Sequence, residues 1–145
     1  MSRLLVALLV AGLLLSACGT TSPADAMKKW VSQSAYRANL PTLTGDVRRA
    51  ANELRKSDAT SNDLHTICAV LTLDAEQANS SLPTPDSQAT ALLAKAYNDI
   101  GAGANQCYGA VSASTRASAL SWLSRGMAAL SEGTARVDVA SGQAP

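Results

Sequence analysis

From Met27 to Leu130, apolar side chains recur at spacings of three and four residues, and no stretch shows the strict alternation of a half-buried strand. This periodicity confines the fold to packed helices. Five runs carry it: Met27, Trp30, Val31 and Ala38; Leu43, Val47, Ala50, Ala51 and Leu54; Leu64, Ile67, Cys68, Leu71, Ala75 and Ala78; Leu93, Ala96, Ile100, Ala104 and Cys107; Leu120, Leu123, Met127 and Leu130. Alanine fills much of the apolar set, phenylalanine is absent and aromatics are 3% of the chain. Helices faced in this way approach closely around a thin core. The expected architecture is all-α, an antiparallel four-helix bundle preceded by an additional N-terminal helix bearing Trp30.

Punctuation divides these runs. Ser22-Pro23-Ala24-Asp25 offers a cap, a proline at the first helical position and a first-turn acid. Asn39-Leu40-Pro41 predicts a break before the second helix. Residues 57–62 form a polar turn, with Asn62-Asp63 opening the third helix. Thr84-Pro85-Asp86 repeats the cap, proline and acid pattern before the fourth helix, in which Gly101 and Gly103 cost roughly 1 kcal/mol each relative to alanine and predict loosening near Gly101. Ser112 to Ser114 supply caps for the last helix, whose signal fades after Ser131. The expected organisation is a leader over 1–17, a spacer over 18–24, a helical domain over 25–136 and a disordered tail over 137–145.

The leader has its own chemistry. Met1-Ser2-Arg3 gives a positive start, and Leu4 to Leu15 is an apolar run too short to cross a bilayer comfortably. It ends in Leu15-Ser16-Ala17-Cys18, which resembles the lipobox of bacterial lipoproteins. Small residues there admit a signal peptidase, and the Cys18 thiol takes a diacylglyceryl group. An ordinary cleaved signal with an incidental cysteine is the alternative. Lipidation at Cys18 implies a membrane partner through the N-terminal lipid and an address on the extracytoplasmic face of the cell membrane, because two or more acyl chains anchor stably.

Export bears on the other two cysteines. Cys68 and Cys107 each lie on an apolar stripe, and an oxidising compartment favours a disulfide between them over two separately buried thiols. Register is the obstacle. A tight hairpin centred on Pro83 would place Cys107 about 13 Å too far along its helix. An extended Ser80–Asp86 connector can absorb as much as about 20 Å, since extended chain advances ~3.3 Å per residue.

Little else suggests chemistry. His65 is the only histidine and lacks companion ligands, so no metal and no cofactor are expected. No serine stands in a nucleophile elbow, Gly101-Ala102-Gly103 is no phosphate loop, and Asp74 and Glu76 point different ways on a helix. No catalytic residue emerges, and the expectation is a non-enzyme. Without Arg3 the basic residues equal the 11 acidic ones, which removes any broad pull toward nucleic acid. Arg48, Arg49, Arg55 and Lys56 form the densest basic cluster, a candidate contact for lipid headgroups or cell-wall polymer, with Glu53 neutralising part of it and a solvated helix face as the plainer reading. Trp30, Tyr36, Tyr97, Tyr108 and Trp122 are too scattered for a stacking platform and read as packing residues, although Trp30 is near enough to Cys18 to rest at a membrane interface.

Trp30, Asp58, Cys68-Ala69-Val70-Leu71, Pro83-Thr84-Pro85-Asp86, Cys107 and the alanine-rich final run together resemble small exported helical lipoproteins of actinobacterial type. The resemblance runs from Trp30 to about Leu130. It implies a disulfide-bonded helical bundle without assigned activity, and no catalytic residue transfers. The functional expectation is a structural or partner-binding module that contacts an envelope protein or cell-wall component. A small-ligand or lipid-binding bundle is the alternative, to be recognised by an apolar cavity of roughly 300 Å³ or more.

Overall fold

A computed structural model describes residues 21–143, and among them every regular element is helical. The elements are α1 (Pro23–Gln33), α2 (Tyr36–Arg55), α3 (Ser61–Asn79), α4 (Ser87–Tyr108) and α5 (Ala113–Ala140). Helices α2 to α5 form an antiparallel bundle in which each packs on the next, while α2 and α5 touch along a much thinner seam. The shorter α1 lies across one end and buries Met27 and Val31. Residues 1–17 and Cys18 lie outside the described residues.

Local chemistry explains most boundaries. Ser22, Thr60, Asp86 and Ser112 each accept a backbone N–H with the side chain, capping α1, α3, α4 and α5. Thr60 does so in a capping box with Asp63, two residues earlier than the expected start at Asn62-Asp63. Before α4 the cap is Asp86, not Thr84; the Thr84 hydroxyl donates instead to the Asp86 carbonyl at 2.6 Å, and its backbone N–H donates to Thr90 Oγ1 at 2.9 Å.

Two expected boundaries are corrected. The first break falls at Ser34-Ala35, and Pro41 sits inside α2. Proline there removes only the bond to the Arg37 carbonyl, early in the helix and on its exposed side, so burial of Tyr36, Leu43 and Val47 along one continuous face prevails. At the other end, residues 137–140 are helix, not disordered tail, and Val137 is 1% exposed. The apolar signal fades after Ser131 because the contact there is built from Gly133 instead of a large side chain.

The seam between α4 and α5 rests on glycine. A Cβ at Gly103 would lie 2.7 Å from Leu123, one at Gly126 2.6 Å from Ile100, and one at Gly133 2.8 Å from Leu93. All three pairs share one antiparallel register, each glycine receiving a large side chain from the facing helix. Gly101 differs. Nothing stands within 4 Å of a Cβ there, and α4 runs through it without interruption. Gly101→Ala should therefore stabilise the protein by about 1 kcal/mol through helix propensity and a less disordered unfolded chain. A urea midpoint that falls in this variant would contradict that reading.

The register problem is solved by the connector. Cys68 and Cys107 are joined by a disulfide with Cα atoms 5.8 Å apart. This pairing centres the α3–α4 hairpin near residues 87 and 88, so the first turns of α4 project beyond the end of α3 and Ser80–Asp86 runs onward beside them, Thr84 meeting Thr90. Trp30 of α1 braces it, its indole Nε1 donating to the Ser81 carbonyl at 3.0 Å. Arg136 of α5 braces the far end, donating from Nε to Asp86 Oδ1 at 3.0 Å and from Nη2 to Oδ2 at 2.5 Å. That guanidinium, aided by the Ala89 N–H, holds the Asp86 carboxyl below the usual carboxylate range. Arg116 ties the α2–α3 turn to the start of α5 by donating to the Lys56 carbonyl at 2.7 Å and the Ala59 carbonyl at 3.1 Å.

Candidate functional site

The basic cluster on α2 divides into two pairs. Arg49 is ion-paired with Asp46 at 2.9 Å, and Lys56 with Glu53 at 2.7 Å. Arg48 and Arg55 lie two turns apart, are exposed, and form no ion pair among the described residues. Both line a cleft between α2 and α5. Its volume is about 320 Å³, and Val47, Ala51, Leu120, Leu123 and Met127 supply most of its wall. Past Met127 a second depression of about 370 Å³ continues the cleft along Leu40, Thr44, Leu130 and Thr134 to Asp138.

This cleft follows from the glycine seam. Helix α5 is drawn onto α4 at Gly103, Gly126 and Gly133, and its contact with α2 stays sparse. The apolar side chains left between α2 and α5 are therefore only partly covered: Leu40, Ala51, Leu120 and Met127 are all half-buried. The result is an open surface cleft with an aliphatic wall and two cations on one rim. It reaches the volume named above as the mark of a ligand-binding bundle, but as an open trough and not an enclosed cavity.

A second charged feature lies between α2 and α3. Asp46 is buried, ion-paired with Arg49, and sits beside Asp74, whose Oδ2 is buried with no hydrogen-bond partner. Burial, and then the neighbouring Asp46 carboxyl, push the Asp74 pKa up to about 6, opposed only by the charge of Arg49. Both residues sit on the apolar stripes, Asp46 three after Leu43 and four before Ala50, Asp74 three after Leu71 and four before Ala78. That spacing was a readable sign that the two carboxyls face inward. Glu76, by contrast, is exposed.

The sign of the linkage is definite. A carboxyl whose folded pKa is raised adds stability that is complete below its unfolded value near 4 and is lost as pH rises through about 6. Asp74→Asn keeps a neutral donor facing Asp46 at every pH. The variant should match the parent near pH 4 and exceed it in stability at pH 7.5, as measured by chemical denaturation at both values. A variant less stable than the parent at pH 7.5 would show that the pair does not share a proton.

The remaining candidates have structural roles. His65, three residues before Cys68, stacks on Tyr108, which follows Cys107, with ring centroids 4.3 Å apart. Among the described residues no group of three or more His, Cys, Asp or Glu side chains could hold a metal ion, and no helix is long and apolar enough to cross a membrane. Trp30 packs on Tyr36 at 5.1 Å, Tyr97 is buried, and Trp122 carries the Arg125 guanidinium 3.9 Å above its ring. Arg116 and Arg136, which clamp the bundle at its two ends, gave no local sign of that in sequence, since their partners lie more than 45 residues away. Comparison of the chain with known family models, curated proteins and solved structures finds no match.

Proposed function

We propose that this protein is a non-enzymatic cell-envelope lipoprotein of the actinobacterial type, anchored by acylated Cys18 on the extracytoplasmic face of the membrane and binding an envelope component through the α2–α5 cleft. The observation that carries this reading is the Cys68–Cys107 disulfide, fully buried and closing 39 residues of sequence. Such bonds persist in oxidising compartments and are rare in the cytosol. This matches an export signal over Met1–Cys18 that ends in a cysteine suited to lipidation. The binding role is supported by Arg48 and Arg55, two exposed cations beside partly covered aliphatic surface, a combination of charge and recessed apolar wall that suits recognition.

A photo-crosslinking residue placed at position 48 or 55 in cells tests this. The expected result is a discrete adduct in the membrane fraction from both positions and none from position 62 on the exposed start of α3. In parallel, Cys18→Ala should move the protein out of the membrane fraction. Failure to form any adduct above background, or retention of the Cys18→Ala protein in the membrane, would contradict the proposal.

A further inference from the structure

We infer that the α2–α5 cleft holds a long acyl chain whose anionic end lies against Arg55 and Arg48, making its ligand an acidic lipid or a free fatty acid. This rests on the reading of the cleft as the binding face and names the class of molecule bound. Three observations converge on it. The lining carries no aromatic side chain, and its apolar part is aliphatic, with Val47, Ala51, Leu120, Leu123, Met127 and Leu130 along its length beside the polar Asn52, Ser124, Thr44, Ser131 and Thr134. Flexible methylene chains pack against such a wall without needing a ring to stack on, and Met127 at the junction of the two depressions adapts in shape.

Length agrees as well. From Arg55 to Leu40 the cleft follows 15 residues of helix, roughly 22 Å at 1.5 Å per residue, which exceeds the ~15 Å that the acyl chains of one leaflet fill in a ~30 Å hydrocarbon core and so accommodates a whole chain. Charge sets the direction. Arg48 and Arg55 stand in one half of the cleft and Asp138 at its other extremity, so an anionic head is attracted to the first end and repelled from the second. A partner helix is the poorer fit. The exposed large hydrophobic residues, Val70, Leu73, Tyr108, Val111 and Val139, all lie outside the cleft, whose own large apolar side chains Leu120, Leu123, Met127 and Leu130 are buried or half-buried.

The chain from Thr21 onward contains every core residue named above, so it can be tested without the leader. Displacement of fluorescent parinarate is measured with palmitate and with uncharged hexadecanol, and extraction of phosphatidylglycerol from vesicles is followed separately. Palmitate should displace the probe more strongly than hexadecanol. Joint replacement Arg48→Gln and Arg55→Gln should weaken palmitate by roughly thirty-fold, the equivalent of two near-surface cations at about 1 kcal/mol each, and leave hexadecanol little changed. Ala51→Trp should fill the cleft and abolish both, its folding checked by circular dichroism and by the absence of free thiol. Extraction of phosphatidylglycerol would identify a membrane lipid as the source, and binding of palmitate alone a free fatty acid.

The inference is overturned if neither palmitate nor phosphatidylglycerol binds, or if the folded Ala51→Trp variant binds as the parent does. It is also overturned if the adduct formed in cells at position 48 is a protein, an outcome that leaves the broader binding role standing. A Cys18 found unacylated in cells would remove the anchor and leave the cleft result intact.

Discussion

Gly126→Val is expected to destabilise the protein by about 3 kcal/mol, lowering its thermal midpoint by roughly 10 °C. The cause is distance. A Cβ at this position stands 2.6 Å from Ile100 Cγ1, 2.9 Å from the Ile100 backbone nitrogen and 3.2 Å from the Ala96 carbonyl oxygen. Rotation of the Ile100 side chain relieves only the first of these, so α5 itself must move off α4. That movement opens the most extensive helix pair in the bundle, which packs Leu93, Ile100 and Leu123 against the facing glycines. Circular dichroism melts of Gly126→Val beside Gly101→Ala make the comparison internal, with two glycine substitutions of opposite sign. A loss below 1 kcal/mol in Gly126→Val would mean that the α4–α5 seam is not held at glycine distance.

Removal of the disulfide by the pair Cys68→Ala and Cys107→Ala is expected to cost about 4 kcal/mol. Freeing a loop of 39 residues returns that much conformational entropy to the unfolded chain in the loop-closure description. Native domains are stable by only 5–15 kcal/mol, so the loss takes a large share of the total. The bridge also fixes the offset between α3 and α4 that lets Ser80–Asp86 run beside the start of α4, and so supports the seat of Trp30 and the Asp86–Arg136 pair. Urea unfolding of the parent and the double variant measures the difference. A change under 1 kcal/mol would show that packing alone holds α3 against α4.

The fold was legible wherever helix chemistry is local. Apolar spacing and the residues Ser22 and Ser112 mark helices and their starts because caps and amphipathic faces act within one turn, whereas the cap expected at Thr84 is supplied by Asp86. Pro41 misled because its cost is set by position: early in α2 and on the exposed side, it loses one hydrogen bond and no packing. The last turn of α5, residues 137–140, was missed for the opposite reason. Gly133 and Arg136 look like the end of a helix, yet one receives Leu93 and the other grips Asp86, contacts that only the tertiary structure creates.

The candidate site shows the same division. A basic face on α2 is visible in the spacing of Arg48, Arg49, Arg55 and Lys56, but which of the four are neutralised depends on Asp46 and Glu53 reaching the right neighbours. The cleft beneath Arg48 and Arg55 was not legible, since it arises from α5 being drawn toward α4. The register that allows Cys68 to meet Cys107 was legible as a condition on the connector, and Ser80–Asp86 meets it by the route along α4.

The membrane anchor proposed for this protein depends on Cys18, which lies outside the described residues. The most direct measurement is intact-mass and N-terminal peptide analysis of the protein recovered from cell membranes. The expected result is a chain that begins at Cys18 and carries a thioether-linked diacylglyceryl group, with Cys68 and Cys107 oxidised. A chain that begins elsewhere, or one whose Cys18 thiol is free, would contradict the anchor and with it the envelope role.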